Sequence, residues 1–252
     1  MISCNITYYN EPKWLLDWYL KLKLLYERGH DIILNVADDG SQVHSAEEFF
    51  DDHPPLPNMH LFRVKEDLGF NSHGARNLLM KQTTTEWNIM SDIDRRFSMK
   101  TLIDIADRAE AGKLQRGHYY SFYEILKASR DRFSVNEYLV HKTDFWKSGG
   151  YDEEFVNIHF GDRYFLEALT YTTRRVCVPE WKVNYIRDSR TVTWADVPTT
   201  VYPDDKTLIH PNNRWPNPEF RHELNNRIRE RNKTHEGRMS KKVINFEWEQ
   251  VF

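Results

Sequence analysis

From Met1 to Gly112 the chain alternates strand-like and helix-like segments, and this alternation limits its possible folds more than any other feature. MISCNITYY is rich in β-formers and stops at NEP, where Pro12 suits a first helical turn. KWLLDWYLKLKLLYERGH then repeats apolar residues at helical spacing up to a C-capping Gly29. DIILNVADDGS predicts a buried strand and a turn, Ser45 to Phe50 a short helix that breaks at DDHPPLPN, and MHLFRV the next strand. After the loop KEDLGFNSHG come a helix in ARNLLMKQ, a strand in EWNIMSD and a helix in MKTLIDIADRAEAG. Repeated strand–helix–strand units imply an α/β fold, a mainly parallel sheet flanked by helices with right-handed crossovers. Ligands of such sheets bind beyond the carboxyl ends of the strands. The clusters YYNE, DDGS and SDID each fall at such an end, so they are expected to share one rim.

The second half is less regular. GHYYSFYEIL, NEYLVHK and RRVCVPEWKVNYIRD predict strands, GDRYFLEALTYTTR a helix, and TDFWKSGGYDEEF a Gly-Gly turn. From Val197 onward Pro, Asn and charged residues dominate, with a charged helix expected from Glu219 to Lys233. The apolar end KKVINFEWEQVF is expected to dock back onto the domain or onto a partner. The chain thus divides into a domain over residues 1–195 and an irregular, loop-rich and helical C-terminal extension over 196–252 that packs on it. A length of 252 residues suffices for the core this requires. The formal charge of −3 supplies no basic field, which argues against a nucleic-acid partner. MISCNITYYN has no basic or apolar leader pattern, and no run approaches the ~18 apolar residues of a membrane span. A soluble, cytoplasmic protein is expected. Cys4 and Cys177 each sit in an apolar run and read as buried free thiols.

Four polar constellations can carry chemistry. In SDID, Asp92 and Asp94 point to the same side if the strand runs through both. Mn²⁺ and Mg²⁺ take oxygen ligands and complete their shell with water or substrate phosphate, so such a pair can hold one, or can simply end a strand. In VADDGS, Asp38 and Asp39 suit turn chemistry, or acceptance of a hydrogen bond from a nucleobase. Arg76 follows Gly74 in a first helical turn, where amides and a guanidinium favour an anion. Asp162 follows Gly161 at the start of a helix, as a helix-end carboxylate or as a general base. Trp146, Tyr151 and Phe160 flank the glycine turn and serve either sugar stacking or the core. Arg95 and Arg96, directly after SDID, answer phosphate, an acidic acceptor, or neighbouring carboxylates.

The order TYYNEPKWLLDWYL, VADDGS, GARN, SDID and GGYDEEF…GDRYF resembles glycosyltransferase family 2 on the Rossmann-like GT-A fold, over about residues 1–172. The resemblance implies a nucleotide-sugar half over about 1–97 and an acceptor half over 98–195. It implies transfer from a UDP-sugar donor to a carbohydrate or glycan acceptor, as a metal-assisted, inverting hexosyltransferase. Thr7, Tyr9 and Glu11 match the segment lining the nucleoside pocket, one of Asp38 and Asp39 the base reader, and Arg76 the basic residue beside the nucleotide. Asp94 matches the ligand of Mn²⁺ or Mg²⁺, Asp92 the residue near ribose or donor sugar, and Asp162 the catalytic base. A further histidine ligand is expected from His210, with His159 second. The chain departs from the pattern at Gly161, where the family has glutamate, and at Tyr164. A sugar-1-phosphate nucleotidyltransferase is the competing enzyme reading, although YYNEPKW lacks the Gly-rich basic loop that class needs. A non-catalytic nucleotide-sugar-binding domain is the third.

Overall fold

The computed structural model describes residues 1–125, 132–156, 161–185 and 218–252. Its nucleus is four parallel strands, β1 (Ile2–Tyr8), β2 (Ile32–Asp38), β3 (Met59–Val64) and β4 (Trp87–Asp92). They are joined by helices α1 (Pro12–Glu27), α2 (Ala46–Asp52) and α3 (Ser72–Gln82). Pro12 opens α1 as expected, and Gly29 takes the left-handed conformation just past its end, at φ 82°. A capping box between Ser45 and Glu48 starts α2. All seven residues of β2 are buried, as a strand covered on both faces requires.

Strand periodicity sorts the two faces. Ile2, Cys4, Ile6, Leu34 and Val36 pack with α1, α2 and α4 (Met99–Glu110), while Ala37 and Phe62 pack with α3 on the other side. Beneath α3 runs a buried polar ladder that hydrophobic patterning does not anticipate. Asn35 donates to Asn5 at 2.7 Å, Asn5 to Asn88 at 3.1 Å, and Thr83 to Asn88 at 2.7 Å. Because these groups satisfy one another, they link β2, β1 and β4 without stranding a buried dipole.

The remaining strands are β5 (Arg95–Phe97), β6 (His118–Ile125), β7 (Arg132–His141), β8 (Arg174–Tyr185) and β9 (Trp248–Gln250). The sheet order is β5-β8-β6-β7-β4-β1-β2-β3-β9. The parallel nucleus is therefore extended into a mixed sheet, antiparallel at β4–β7, β6–β7, β5–β8 and β3–β9. Helices α5 (Lys142–Lys147), α6 (Gly161–Thr170), α7 (Pro218–Asn232) and α8 (His235–Met239) complete the described elements. Strand order reverses between β1 and β4, which makes their carboxyl ends the crevice where ligands of open α/β sheets bind.

Three expectations change in detail. The helix of ARNLLMKQ begins earlier, at Ser72, which brings His73 into its first turn. Asp94 lies in the turn between β4 and β5 and not on the strand, so it does not share the alternation of Asp92. Cys4 is buried, but Cys177 is exposed: along β8 Val178 faces the core and its neighbour Cys177 the opposite side. Among the described residues, no helix is long and apolar enough to cross a membrane.

The apolar C-terminal stretch does dock. The Val251 amide donates to the Leu61 carbonyl at 2.9 Å, the Lys65 amide to the Glu247 carbonyl at 3.0 Å, and Phe252 meets Phe50 edge-on at 4.9 Å. Deleting residues 247–252 is expected to destabilise the protein by about 2–4 kcal/mol through lost strand pairing and apolar burial. An unchanged urea midpoint in the truncated chain would count against that role for β9.

Candidate active site

The first-strand cluster and the VADDGS turn meet at the ends of β1 and β2. The two aspartates there have different work. Asp38 accepts from the Ser41 amide and the Ala46 amide, both at 2.8 Å, so both oxygens hold the turn into α2. Asp39 accepts from the Asn71 amide at 2.9 Å through Oδ2, while its Oδ1 is buried without a hydrogen-bond partner. Burial pushes the Asp39 carboxyl well above its ordinary range. A buried acceptor with one free oxygen is poised for an N–H donor. Beside it, the Tyr9 hydroxyl donates to Asp67 at 2.9 Å, and Asp67 also takes the Gly69 amide at 2.8 Å. Thr7 stands half-buried on β1 in register with Asp92, and Glu11 precedes α1, its carbonyl taking the Trp14 amide at 3.1 Å.

α3 carries the second cluster. Arg76, 1% exposed, reaches out from its first turns to Asp92 with Nη2 and to Asp162 with Nη1. Nη1 also donates to the Tyr151 hydroxyl at 3.0 Å, and the Tyr138 hydroxyl donates to Tyr151 at 2.8 Å. The second oxygen of Asp92 accepts from Asn136 at 3.0 Å. Burial raises the Asp162 carboxyl, but the Arg76 guanidinium and, after it, His73 together outweigh it and hold the group well below the usual carboxylate range. Asp162 is therefore ionised at neutral pH. It sits in the first turn of α6, with His73 Nε2 3.9 Å from its Oδ2. A Cβ at Gly161 would lie 2.4 Å from His73 Nε2, so the glycine there has a steric cause.

The third cluster explains the arginine pair. Arg95, largely buried, reaches Glu124 at 2.7 Å, Glu137 at 3.0 Å and Asp94 at 3.5 Å. Burial pushes Glu137 up to about 8 and Asp94 up to about 7, the second helped by the charge of Asp92. Arg96 instead pairs with Asp17 on α1 at 3.1 Å, and the Trp18 indole N–H holds the Ile93 carbonyl at 3.1 Å. The turn bearing Asp94 is thereby pinned from both sides. Asp94 Oδ1 is buried without a hydrogen-bond partner, with the Arg95 guanidinium as its ion pair at 3.5 Å, an oxygen with room for a closer ligand. Both oxygens of Asp92 are already engaged, which makes Asp94 the better-fitting ligand of the pair. Among the described residues no three His, Cys, Asp or Glu side chains gather as a metal site. His210, His159 and Phe160 lie outside the described residues.

The structure thus joins Arg76, Asp92 and Asp162 in direct contact, and places Asp39, Tyr9 and Asp94 on the same rim. Tyr151 and Trp146 serve packing: Tyr151 is fully buried and stacks on Phe165 at 4.1 Å, and Trp146 lies against the same cluster. Asn136, Glu124, Glu137 and His73 were not anticipated. A carboxylate inside the strand SVNEYLVH, in a chain that also carries a buried-strand arginine, was the one available signal.

Sheet order and switch-point crevice are those of the GT-A glycosyltransferase fold. S. aureus TarS superposes with a TM-score of 0.60 at 13% identity, over 74% of this chain and 36% of that one. TarS 1-349 in complex with UDP-GlcNAc gives 0.58 at 12% identity, over 74% and 59%. The mannosyltransferase PcManGT from Pyrobaculum calidifontis, in complex with GDP-Man and Mn²⁺, gives 0.55 at 16% identity, over 75% and 57%. The chain therefore spans from 36% to 59% of the length of these structures. Identities this low carry the fold alone. No protein-family model and no curated protein matches the chain.

Proposed function

We propose that the chain moves a hexosyl group from a UDP-sugar to a hydroxyl of a carbohydrate acceptor, with Mn²⁺ or Mg²⁺ and with inversion at the anomeric carbon. The observation that carries this reading is the Arg76 bridge, which ties Asp92 at the end of β4 to Asp162 at the start of α6 across the switch-point crevice. The bridge sets a carboxylate, ionised before the reaction, beside the place where donor phosphates belong. Asp39, through its free Oδ1, accepts the N–H of the base, with Tyr9 and Asp67 closing that side and Thr7 and Glu11 lining the approach. Asp94, with Asp92 beside it, would hold the cation, whose charge neutralises the departing diphosphate. Asp162 accepts the acceptor's hydroxyl proton as the new carbon–oxygen bond forms and the bond to the diphosphate oxygen breaks, its electron pair leaving with UDP. The test is nucleotide release from a panel of UDP- and GDP-sugars with Mn²⁺, alongside calorimetric binding of UDP. No release from any donor together with no UDP binding would sink the reading.

The different work of the two turn aspartates is separately testable. Asp39→Asn is expected to weaken UDP binding about 10- to 100-fold, the cost of leaving a buried hydrogen-bonding group without its partner. Asp38→Asn is expected to lower stability instead, because it loosens the turn into α2, with UDP affinity of the folded protein kept. Equal losses of affinity in both variants would remove the assignment of Asp39 as base reader.

A further inference from the structure

We infer that His73 is the positioning residue for Asp162, and that Gly161 is glycine in order to admit it. The inference rests on the reading of Asp162 as the base. Gly161 is not a turn glycine: it opens α6, and unlike Gly149 and Gly150 it has no positive φ. What excludes a side chain there is space. A Cβ at this position would stand 2.4 Å from His73 Nε2 and 2.5 Å from Cε1, both on a ring that is itself walled in. That ring is fully buried, 5.4 Å from the Tyr151 ring, 6.0 Å from Phe155 and 6.0 Å from Phe70. It cannot move aside cheaply.

The chemistry of the ring argues that it is there for more than volume. Neither Nδ1 nor Nε2 of His73 has a hydrogen-bond partner, an unfavourable state for a buried polar ring that a leucine of similar size would avoid. Nε2 faces Asp162 Oδ2 at 3.9 Å, on the oxygen that Arg76 does not hold. A shift of about 1 Å brings the two into hydrogen-bond range. With its proton on Nε2, the ring donates to Oδ2 while Arg76 donates to Oδ1, so the carboxylate plane is fixed from α3 at both oxygens. One helix then orients the base from two positions three residues apart, His73 and Arg76, on the same helical face.

Three variants test this with UDP-GlcNAc as donor and Mn²⁺ present. His73→Leu keeps the volume and removes both nitrogens; His73→Gln keeps a donor near the Nε2 position; Gly161→Ala pushes the ring off Asp162. The expected result for His73→Leu is a kcat about 30- to 100-fold lower, the scale of a misplaced catalytic group, with the donor KM within about threefold. His73→Gln is expected to recover most of that loss, which filling space alone would not achieve. If His73→Leu does not fold, the His73 Nε2 resonance decides the inference alone. In spectra of ¹⁵N-histidine-labelled protein, the His73 Nε2 resonance is expected to move in Asp162→Asn. A His73→Leu enzyme at wild-type kcat, or a resonance indifferent to Asp162→Asn, overturns the inference. If Asp162→Asn itself leaves turnover intact, the base reading fails instead, and the resonance still decides whether His73 orients that carboxylate.

Discussion

Replacing Arg76 with methionine is expected to destabilise the protein by about 3–5 kcal/mol, the range for breaking a buried ion pair from one side. The guanidinium is 1% exposed, and the side chains of Asp92 and Asp162 are 29% and 17% exposed, so solvent does little to replace it. Methionine matches its length but leaves two carboxylates near each other with no cation between them. The pH dependence should weaken. In the wild type, burial raises the Asp162 carboxyl and Arg76 and His73 together more than reverse that, so its folded value lies below the unfolded one. Such a group stabilises the fold above its unfolded pKa of about 4, and that contribution is lost as pH falls through the folded value. In Arg76→Met only His73 still opposes burial, so the folded value moves up and the stabilisation present above about pH 4 shrinks. Urea unfolding between about pH 2 and pH 8 measures both effects. Arg76→Lys keeps the charge without the fork and should lie between the two. A methionine variant within about 1 kcal/mol of wild type, with an unchanged pH profile, would show that the bridge is not what holds α6 to α3.

Asp162→Asn is expected to lower sugar transfer by about 10²- to 10⁴-fold, the usual contribution of a general base. UDP binding should hold within about threefold, because Asp162 touches Arg76 and His73 and has no contact with Asp39 or Tyr9. Asparagine still accepts from Arg76, and Asp92 still balances its charge, so stability should change far less than in Arg76→Met. A kcat within tenfold of wild type would remove Asp162 from the mechanism.

These effects concentrate on one helix. The residue capping α3, Asn71, donates its amide to Asp39, and the helix sends Arg76 to Asp92 and Asp162 and packs Ala75, Leu78 and Leu79 beneath the sheet. GARN marks the start of that helix in the sequence, but nothing local says that its arginine is bridged rather than open to a ligand. The partners of Arg76 lie 16 and 86 residues away, and Asn136 reaches Asp92 from 44 residues away. The meeting of Asn136 with Asp92 follows from β7 pairing antiparallel beside β4, a placement no hydrophobic period announces. The same holds for Arg95. Its charge made a carboxylate partner a fair expectation, but Glu124 and Glu137 face it only because β6 and β7 stand beside one another in the sheet.

The sequence by itself determined the alternation of β1, α1, β2, α2, β3, α3, β4 and α4, and that its apolar end would be buried, on the domain or on a partner. Both rest on short-range physics: the two- and 3.6-residue periods, proline and glycine at helix ends, and the burial of apolar surface. It also determined that polar clusters would gather at the carboxyl ends of the parallel strands. Only the tertiary structure decided which oxygen of which aspartate is free. Asp38 is spent on backbone amides and Asp39 keeps an oxygen; Asp92 is doubly held and Asp94 is not. The reason is that a carboxylate's role depends on its few nearest donors, and those are set by strand order and register across the sheet, at separations where local pattern carries no information.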